Sequence, residues 1–488
     1  MRKITTLIVA LLAMTATQAQ MSGLLYNSKH IPQKNLMNPA YFCNSKFYLS
    51  LPSVNLNFDS PVSFNDVFMV KPVDGQNITY INTDAILASL DAKNELGLDL
   101  NVGILGFGFK TKHGFFTFSS QLRANAQLGI PKDVFHFLAE GNVDENGQGR
   151  NLTLIDQDLL SFQSYVECGI GYGFNVNEKL TVGARFKLLL GLANINTTNT
   201  HIDLSTDPNL NTLAVNMDYH VRMSAPVRLS VVGDTSLNFE LVEEIPQNFG
   251  FAIDLGARYK INDKLSVAAS ILDLGKIHWV ENPVELHQKK GTGNITFGGL
   301  EWESMFSNGA YNEEFFSILA DSIVSELTQF ELDTLASDYW DAVPWRMNLS
   351  ATYDINRVLS ASLMYRGERN KFNYYQSLTA GFNINLWDWM EIMACNTVNN
   401  FNDWVNPGVG VSLSLFKSLQ LYTLFDYVSS MYLVDGKSFR FFFGLNLVLG
   451  HERKNRKTEV PEVPTSIELE MPAPEVDRQA ETTEGKTE

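Results

Sequence analysis

The sequence predicts an all-β protein, an up-and-down antiparallel β-barrel that crosses a membrane. Three observations predict this fold: an export signal at the N-terminus, hairpins in which apolar and polar residues alternate, and connections of two very different lengths. In a membrane barrel, apolar side chains face lipid and the alternate, polar side chains face the lumen. One closed sheet of this kind can use the whole chain of 488 residues.

Residues 1–19 have the composition of a signal peptide. Arg2 and Lys3 precede a short apolar run that ends at Ala13, and small residues then lead to a predicted cleavage site before Gln20. The apolar run is too short to span a bilayer, which needs about 20 apolar residues. No cysteine follows the cleavage site, so we do not expect a lipoprotein anchor. The mature chain is predicted to be exported.

The overall composition excludes several other classes of protein. The hydrophobic fraction is 45%, and no apolar run after residue 20 has the length of a transmembrane helix. A net charge of −17 argues against nucleic-acid binding. The three cysteines, Cys43, Cys168 and Cys395, form neither a disulfide framework nor a zinc pattern. We therefore expect no cofactor and no metal.

A repeated hairpin is the strongest signal in the sequence. From Val166 to Val176 the even positions are apolar or aromatic, whereas the odd positions are Glu, Gly and Asn. The alternation resumes after a turn at 177–179, and the same unit returns around 249–271, 347–365 and 378–384. Alternation of this length predicts β-strands.

Both faces of these hairpins carry candidate functional residues. In four hairpins an aromatic residue stands two positions before the Ile or Val that precedes the turn Asn, which is the position of an aromatic girdle at the lipid headgroups. The girdle candidates are Phe174, Tyr259, Tyr353 and Phe382. Charges on the opposite face must meet water or one another, since they cost several kcal/mol in hydrocarbon. The lumen-facing candidates are Glu167, Arg185, Lys187, Asp254, Arg258, Lys260, Arg346, Asp354 and Arg440.

The connections predict the orientation and the strand count. Turns near 177–179, 262–264, 356–358 and 416–418 are short, whereas the segments 59–97, 129–163 and 280–345 are long. Outer-membrane barrels place short turns in the periplasm and long loops outside. We count about fourteen strands, and a further pair in 195–248 would give sixteen. An even count places both termini in the periplasm.

Four regions follow along the chain. After the signal peptide, residues 20–45 are predicted to form a periplasmic cap or a plug, and residues 46–450 the barrel. Short helices are expected in the long outer loops, at Asp133–Glu140 and at 312–337. Residues 451–488 are rich in Glu, Pro, Thr and Lys and are predicted to be a disordered periplasmic tail. This tail is either a solvated linker or the contact site of a periplasmic partner.

Two alternative classes remain at this point. A soluble β-sandwich or propeller would bury the apolar faces in a core, but connections of such unequal length do not suit equal propeller blades. An embedded hydrolase would draw its Ser and His from separate strands. The sequence contains no GxSxG, P-loop, HExxH or helix-opening GxGxxG motif, and the Gly-rich run Gly169–Gly173 lies on an alternating strand. We therefore do not expect an enzyme.

The run Phe249–Tyr259 with Ile261–Val267 resembles hairpins of Bacteroidetes outer-membrane barrels in the broad FadL-like and PorV-like class. Asn38-Pro39-Ala40, Ile130-Pro131-Lys132 and Gly141-Asn142 are similar to an uncharacterised family within that class. The resemblance implies an outer-membrane β-barrel, and the class includes fatty-acid channels and type IX secretion components. No ligand-binding motif is matched. The tail departs from barrels that end on an aromatic residue, so an internal assembly signal is expected around Phe439–Phe443.

Two functional hypotheses follow from the predicted barrel. The first is passive uptake of a small hydrophobic molecule, with residues 21–45 as a plug and the outer loops as the capture site. The alternative is a non-transport scaffold in secretion or surface attachment. The expected partners are outer-membrane lipid, a hydrophobic small molecule, and a periplasmic protein at the tail.

Overall fold

The computed structural model describes the parts of the chain that determine the fold. The described residues are 23–43, 45–63, 67–73, 76–91, 93–140, 148–149, 151–156, 158–207, 212–232, 236–241, 247–295, 306–307, 310–311, 333–335, 337–386, 389–400, 406–416, 418–428 and 437–451. The predicted signal peptide and the predicted tail beyond residue 451 lie outside them.

Fourteen antiparallel strands form a closed ring. In chain order they are β1 (Ser45–Ser50, continued by Ser53–Asp59), β2 (Lys93–Lys110), β3 (Gly114–Pro131), β4 (Leu160–Asn175), β5 (Leu180–Asp207), β6 (Asn248–Lys260), β7 (Leu265–Trp279), β8 (Tyr339–Ala342, continued by Trp345–Asp354), β9 (Leu359–Arg369), β10 (Tyr374–Leu386), β11 (Met390–Asn399), β12 (Pro407–Leu415), β13 (Leu419–Asp426) and β14 (Ser438–His451). Each strand pairs with its neighbour in the chain, and β1 closes the ring by pairing with β14. The predicted transmembrane antiparallel barrel is confirmed.

The strand count is fourteen and not sixteen, because the chain between β5 and β6 adds no strand to the ring. The first half of β5 pairs with β6, from Leu180 to Gly191. The second half continues beyond the ring and pairs with Thr212–Ser224, which pairs in turn with Pro283–Ile295. The extra strands therefore extend one side of the barrel without widening it.

Side-chain hydrogen bonds explain why Asn recurs at the tight turns of the hairpins. The Oδ1 atoms of Asn177, Asn262 and Asn356 each accept hydrogen bonds from the backbone N–H groups two and three residues later, at 2.7–2.9 Å. Such Asx turns reverse the chain within a few residues. We call this end of the barrel the short-turn end and the opposite end the long-loop end. Both ends of the ring sequence, Ser45 and His451, pair at the short-turn end.

The outer surface of the ring is apolar. Large hydrophobic side chains that alternate with buried polar ones are 36–55% exposed along the strands, for example Phe186, Phe249 and Leu349. No helix among the described residues is long and apolar enough to cross a membrane.

Shorter elements decorate the barrel. They are the helices α1 (Gly23–Asn27), α2 (Thr83–Ser89) and α3 (Lys132–Glu140), a 3-10 turn at Pro32–Leu36, and the strands Phe68–Val73, Gln76–Ile81, Asn151–Asp156, Val227–Val232, Ser236–Leu241, Phe306–Ser307, Ala310–Tyr311 and Asp333–Leu335. Helix α3 confirms the helix predicted at Asp133–Glu140. The helix predicted at 312–337 lies mostly outside the described residues, and it is wrong at Asp333–Leu335. There, pairing with Glu285–His287 supplies backbone partners to an extended chain.

Candidate functional site in the lumen

Residues 23–43, which we call the plug segment, lie inside the ring. Their side chains and backbone bond to wall residues on strands all around the barrel. The wall partners are Ser50, Arg185, Ala257, Ala269, Ser270, Asn348, Ser350, Asn383, Glu391, Gln420 and Asn446. Because these strands enclose the segment on every side, it occupies the lumen.

An apolar core fixes the plug segment in place. Leu24, Leu25 and Tyr26 are at most 1% exposed, and Tyr26 meets Tyr41 edge-on with ring centroids 5.4 Å apart. The wall contributes the matching apolar side chains Ala268, Met364, Met393, Cys395, Tyr422, Leu424 and Phe442. Burying a large side chain of this kind contributes about 1.5–3 kcal/mol. The segment thus shares a buried apolar core with the wall.

Two lumen-facing glycines allow the plug segment to touch the wall. A β-carbon at Gly256 would collide with the Asn38 side chain, and one at Gly183 would collide with the Pro39 backbone. Asn38 uses the space gained to donate from Nδ2 to the Ala269 carbonyl at 3.1 Å. The Gly-rich inner face therefore serves close approach of a second chain segment.

Polar anchors complement the apolar core. The Glu391 carboxylate accepts from Ser28 Oγ at 2.7 Å and from the Lys29 backbone N–H at 2.6 Å. The Lys29 ammonium pairs with Asp354 near the short-turn end. Hydrogen bonds to a charged group are worth about 1.5–3 kcal/mol each, so these contacts orient the segment as well as hold it.

A cluster of seven buried charges lies in the lumen beside the plug segment. We call it the ionic cluster; its members are Arg123, Glu167, Arg185, Lys187, Asp254, Asp273 and Arg346. They come from six consecutive strands, β3 to β8. Lys187 Nζ lies 2.9 Å from Asp254 Oδ2, and Arg123 Nη1 lies 3.0 Å from Glu167 Oε2. Such charges are tolerated away from water only because each one is paired.

Asp273 is the hub of the ionic cluster. Its carboxylate pairs with Arg123 at 3.1 Å and also with Lys187 and Arg346. Its backbone adopts a left-handed conformation with φ of 60° at a β-bulge, and its N–H donates to Asp254 Oδ1 at 2.8 Å. Asp tolerates this conformation better than most residues. The bulge turns a side chain that alternation would place in lipid into the lumen.

The ionic cluster and the plug segment are joined directly. Arg185 Nη2 donates to the backbone carbonyl of Asn35 at 3.0 Å, and its Nη1 pairs with Asp254 at 3.2 Å. One guanidinium thus spans both structures, which is a use that suits its planar array of donors.

The structure places the nine lumen-facing candidates in three settings. Five belong to the ionic cluster: Glu167, Arg185, Lys187, Asp254 and Arg346. Three have other partners near the plug segment or on the far wall: Arg258 lies over the Tyr41 ring at 5.4 Å, Asp354 pairs with Lys29, and Arg440 lies over the Tyr427 ring at 4.3 Å. Lys260 is exposed at the end of β6.

The four girdle candidates all point outward near the short-turn end. Phe174, Tyr259, Tyr353 and Phe382 are 42–54% exposed. Tyr353 pairs with Ala361, which pairs in turn with Phe382, so these two rings share one row of the sheet.

Two central members of the ionic cluster are absent from the sequence-based candidates. Alternation along Leu265–Ile271 assigns odd residues to lipid, and the bulge at Asp273 reverses that assignment. Arg123 lies on the inner face of β3, where Ser120, Ala124 and Ala126 make the alternate, outer face only weakly apolar. A charged residue on an apparently lipid-facing position is itself the signal that was available, since such a position is costly for a charge.

The wall is interrupted beside the plug segment. The first strand breaks at Leu51–Pro52, and Pro52 has no N–H to donate. On the neighbouring strand a bulge at Ile104 leaves Ile104 and Leu105 both exposed, at 46% and 43%. The two irregularities face each other, because Ser50 pairs with Gly106 and Ser53 with Gly103.

A cavity of about 40 Å³ lies at this interruption, which is room for about two or three water molecules. Its lining combines lumen-facing and outward-facing positions: Gln33, Leu36, Tyr48, Ser50, Leu51, Ser53, Asn55, Asn101, Gly103, Leu105, Gly106, Phe118, Ser119, Ser120, Gln121 and Phe442. The cavity is therefore built into the barrel wall and bordered by the plug segment. Within the described residues, no group of His, Cys, Asp and Glu is arranged to hold a metal ion.

Lys34 is a plug residue whose charge the lumen disfavours. Its ammonium lies 5.2 and 4.2 Å from the ring centroids of Tyr26 and Tyr41 and donates to the Ser28 carbonyl at 3.0 Å. Desolvation in the lumen, and secondarily the charge of Arg258, lowers the pKa of Lys34 to about 7. Nearby Glu391 and Asp354 only partly offset this effect.

The lowered pKa of Lys34 predicts a pH dependence of stability. Between about pH 7 and 9 the unfolded chain binds more protons at Lys34 than the folded chain, so the free energy of unfolding is expected to rise with pH. Lys34→Met is expected to flatten this rise. The comparison is made by urea unfolding of both proteins in detergent micelles. Equal slopes for the two proteins would contradict the prediction.

With the barrel and its lumen described, comparison with known proteins places the chain. Residues 39–426 match a family described as a family of unknown function, DUF5723. The chain belongs to this family. The match covers most of the ring and begins within the plug segment. A search among curated proteins finds no match.

Solved structures with a similar fold include three bacterial barrels. The toluene transporter TbuX of Ralstonia pickettii is 10% identical, with 86% of this chain and 94% of that chain covered and a TM-score of 0.40. The toluene transporter TodX of Pseudomonas putida is 10% identical over 89% and 98%, with a TM-score of 0.40. A FadL homologue of Pseudomonas aeruginosa is 9% identical over 87% and 95%, with a TM-score of 0.39.

Proposed function

We propose that this protein is an outer-membrane barrel that takes up a small apolar molecule through its wall. The observation that carries the proposal is the cavity at the interruption of β1 and β2, lined by residues of both wall faces. An apolar molecule dissolved in the membrane would enter beside Leu105 and reach the space next to the plug residue Leu36.

Obstruction along the barrel axis favours entry through the side wall over entry along the axis. The plug segment and the ionic cluster both lie in the lumen, and an apolar molecule arriving along the axis would have to displace packed side chains and paired charges. A break in the wall leads around both obstacles. Because the cavity is small, side chains such as Phe118 and Leu105 must move on entry.

The orientation follows from the same proposal. The exported chain has an apolar outer surface, which suits the outer membrane of a Gram-negative cell. The short-turn end and both termini would face the periplasm, and the plug segment would enter the lumen from that side. The extended strands of the long-loop end would face the cell exterior.

The test is uptake of N-phenyl-1-naphthylamine by intact cells that express the barrel. This apolar dye fluoresces when it passes the outer membrane and reaches lipid within. Ser119→Leu fills the cavity without removing a hydrogen bond, because the buried Ser119 hydroxyl has no partner. We expect wild type to accelerate uptake several-fold and Ser119→Leu to abolish most of that gain.

Ala126→Leu is the matched control, since it adds similar bulk to the outward face of the same strand, away from the cavity. Wild-type uptake no faster than that of cells without the barrel would refute the uptake function. In that case the second candidate, a non-transport scaffold, gains support from the filled lumen, and its contact surfaces would be the extended strands or the tail.

A further inference from the structure

In the part of the chain that the structure describes, the outward wall carries two exposed cations where its apolar band ends towards the long-loop end. Lys276 on β7 and Arg369 on β9 are both exposed, and each alternates with a buried lumen residue, Ile277 and Glu368 respectively. Among the residues that the structure describes, no carboxylate forms an ion pair with either cation.

Register places the two cations at opposite sides of one strand. Lys276 pairs with Ala342, and Arg369 pairs with Trp345, both on β8. Two inter-strand steps and an offset of three residues put their Cα atoms roughly 14 Å apart. Their long side chains can therefore contact one headgroup together.

Aromatic rings surround the two cations. The Lys276 ammonium lies 4.4 Å from the centroid of the Trp340 ring, and His278 stacks on the same ring at 4.5 Å. Trp345 meets Tyr374 beside Arg369, with centroids 6.2 Å apart. Trp and Tyr favour the headgroup level of a bilayer, so these rings mark a second girdle at the long-loop end.

The height of the cations agrees with a headgroup position. Tyr259 of the short-turn girdle pairs with Val267, and Lys276 lies further along that same strand. With strands tilted by about 40°, this path corresponds to roughly 20 Å of height, close to the apolar band of outer-membrane barrels. Below the cations the wall exposes Leu274 and Leu363 to lipid.

We propose that Lys276 and Arg369, with Trp340 and Trp345 between them, bind a phosphorylated lipid headgroup in the outer leaflet. Arg offers paired donors to phosphate, and Lys offers a compact charge. The spacing of the two cations suits a headgroup with two phosphates. Among the described residues, Asp338 accepts a hydrogen bond from His278 Nε2 at 2.7 Å and forms no ion pair with Lys276. The proposal rests on the transmembrane barrel and its orientation but not on the uptake route. Lipid binding and uptake can therefore fail independently of each other.

The test is retention of lipid A by the full-length, detergent-folded protein, measured by native mass spectrometry. We expect wild type to retain lipid A and to retain its dephosphorylated form far less. Loss of both cations in Lys276→Gln/Arg369→Gln is expected to weaken retention about thirtyfold, and each single substitution about fivefold. Folding of each variant is checked by its heat-modifiable mobility on gels. If the double variant does not fold, the single variants provide the test.

The matched control removes two exposed cations at the short-turn end, in Lys260→Gln/Arg357→Gln. This variant is expected to retain lipid A as wild type does. Two outcomes overturn the proposal: equal retention of the dephosphorylated lipid by wild type, or retention of lipid A by Lys276→Gln/Arg369→Gln that equals the wild-type value.

Discussion

Replacing Asp273 with asparagine is expected to lower the free energy of unfolding of the barrel by about 3–5 kcal/mol, because it leaves buried cations without their shared partner. Asn keeps the shape of the side chain and tolerates the left-handed backbone at this position. The loss is therefore one of charge and not of conformation. Urea unfolding in lipid vesicles, followed by the fluorescence of the seven tryptophans, measures it.

Asp354→Asn provides the matched control for Asp273→Asn. It makes the same chemical change in an ion pair with Lys29, where the two side chains are 42% and 27% exposed. Water and salt screen such a pair, so the expected loss is at most about 1 kcal/mol. Similar losses in both variants would show that the buried ionic cluster contributes no more than a half-exposed pair.

A second substitution tests whether Asp273 acts through its partners. Asp273→Asn/Arg346→Met also removes one of the buried cations that Asp273→Asn leaves without a partner. The double variant is therefore expected to be more stable than Asp273→Asn alone. A double-mutant cycle with Arg346→Met isolates the coupling between the two residues. Additive losses would mean that Arg346 does not depend on Asp273 and that the other cations carry the effect.

The ring itself was predictable because its signals are local. Alternation shows which face of a strand meets lipid, and an Asn after an Ile or Val marks several of the tight turns, as at Asn262. Antiparallel hairpins pair residues that are close in sequence, so the order of strands follows from the order of the chain. The predicted count of about fourteen strands is confirmed. The extended part of β5 is the reason why sixteen remained an alternative, since pairing outside the ring produces the same alternation.

The interior was only partly predictable because its contacts are long-range. Glu167 and Asp254 follow the alternation and were identified as lumen-facing, but no pattern near them indicates that Asp273 joins them. A bulge of one residue reverses the inward and outward assignment beyond it, and the only local mark of this bulge is the charge of Asp273 at an apparently lipid-facing position. The fit of Asn38 against Gly256 depends on segments more than two hundred residues apart in the sequence.

Deleting residues 23–43 is expected to change the barrel from electrically silent to conducting. In wild type the lumen is packed by Leu24, Leu25 and Tyr26 against the wall, so a planar lipid bilayer should show no stable current steps. Without the plug segment, the space that it occupies would fill with water against the polar and glycine-rich wall. The strand pairing of the ring is independent of the segment, and we expect the shortened barrel to fold.

Gly256→Leu gives the same test without a deletion. The new side chain would occupy the position of the Asn38 side chain. The plug segment is therefore displaced from its position in the lumen while the chain stays full length. Frequent or permanent current steps are expected. Gly275→Leu would not serve as a control, because a β-carbon there meets the wall itself. Ala257→Leu does serve, since it adds bulk on the outer face of the same strand.

If a correctly folded barrel that lacks residues 23–43 shows no current steps, the barrier to ions lies elsewhere in the lumen. The remaining obstruction would then be the ionic cluster, and Asp273→Asn in the shortened barrel should open it by removing the charge that draws Arg123, Lys187 and Arg346 together across the lumen. Conduction by the shortened barrel alone would instead show that the ionic cluster leaves a water path. In that case the plug segment is the only axial barrier, and the side entry at Leu51–Pro52 is needed solely while that segment is seated.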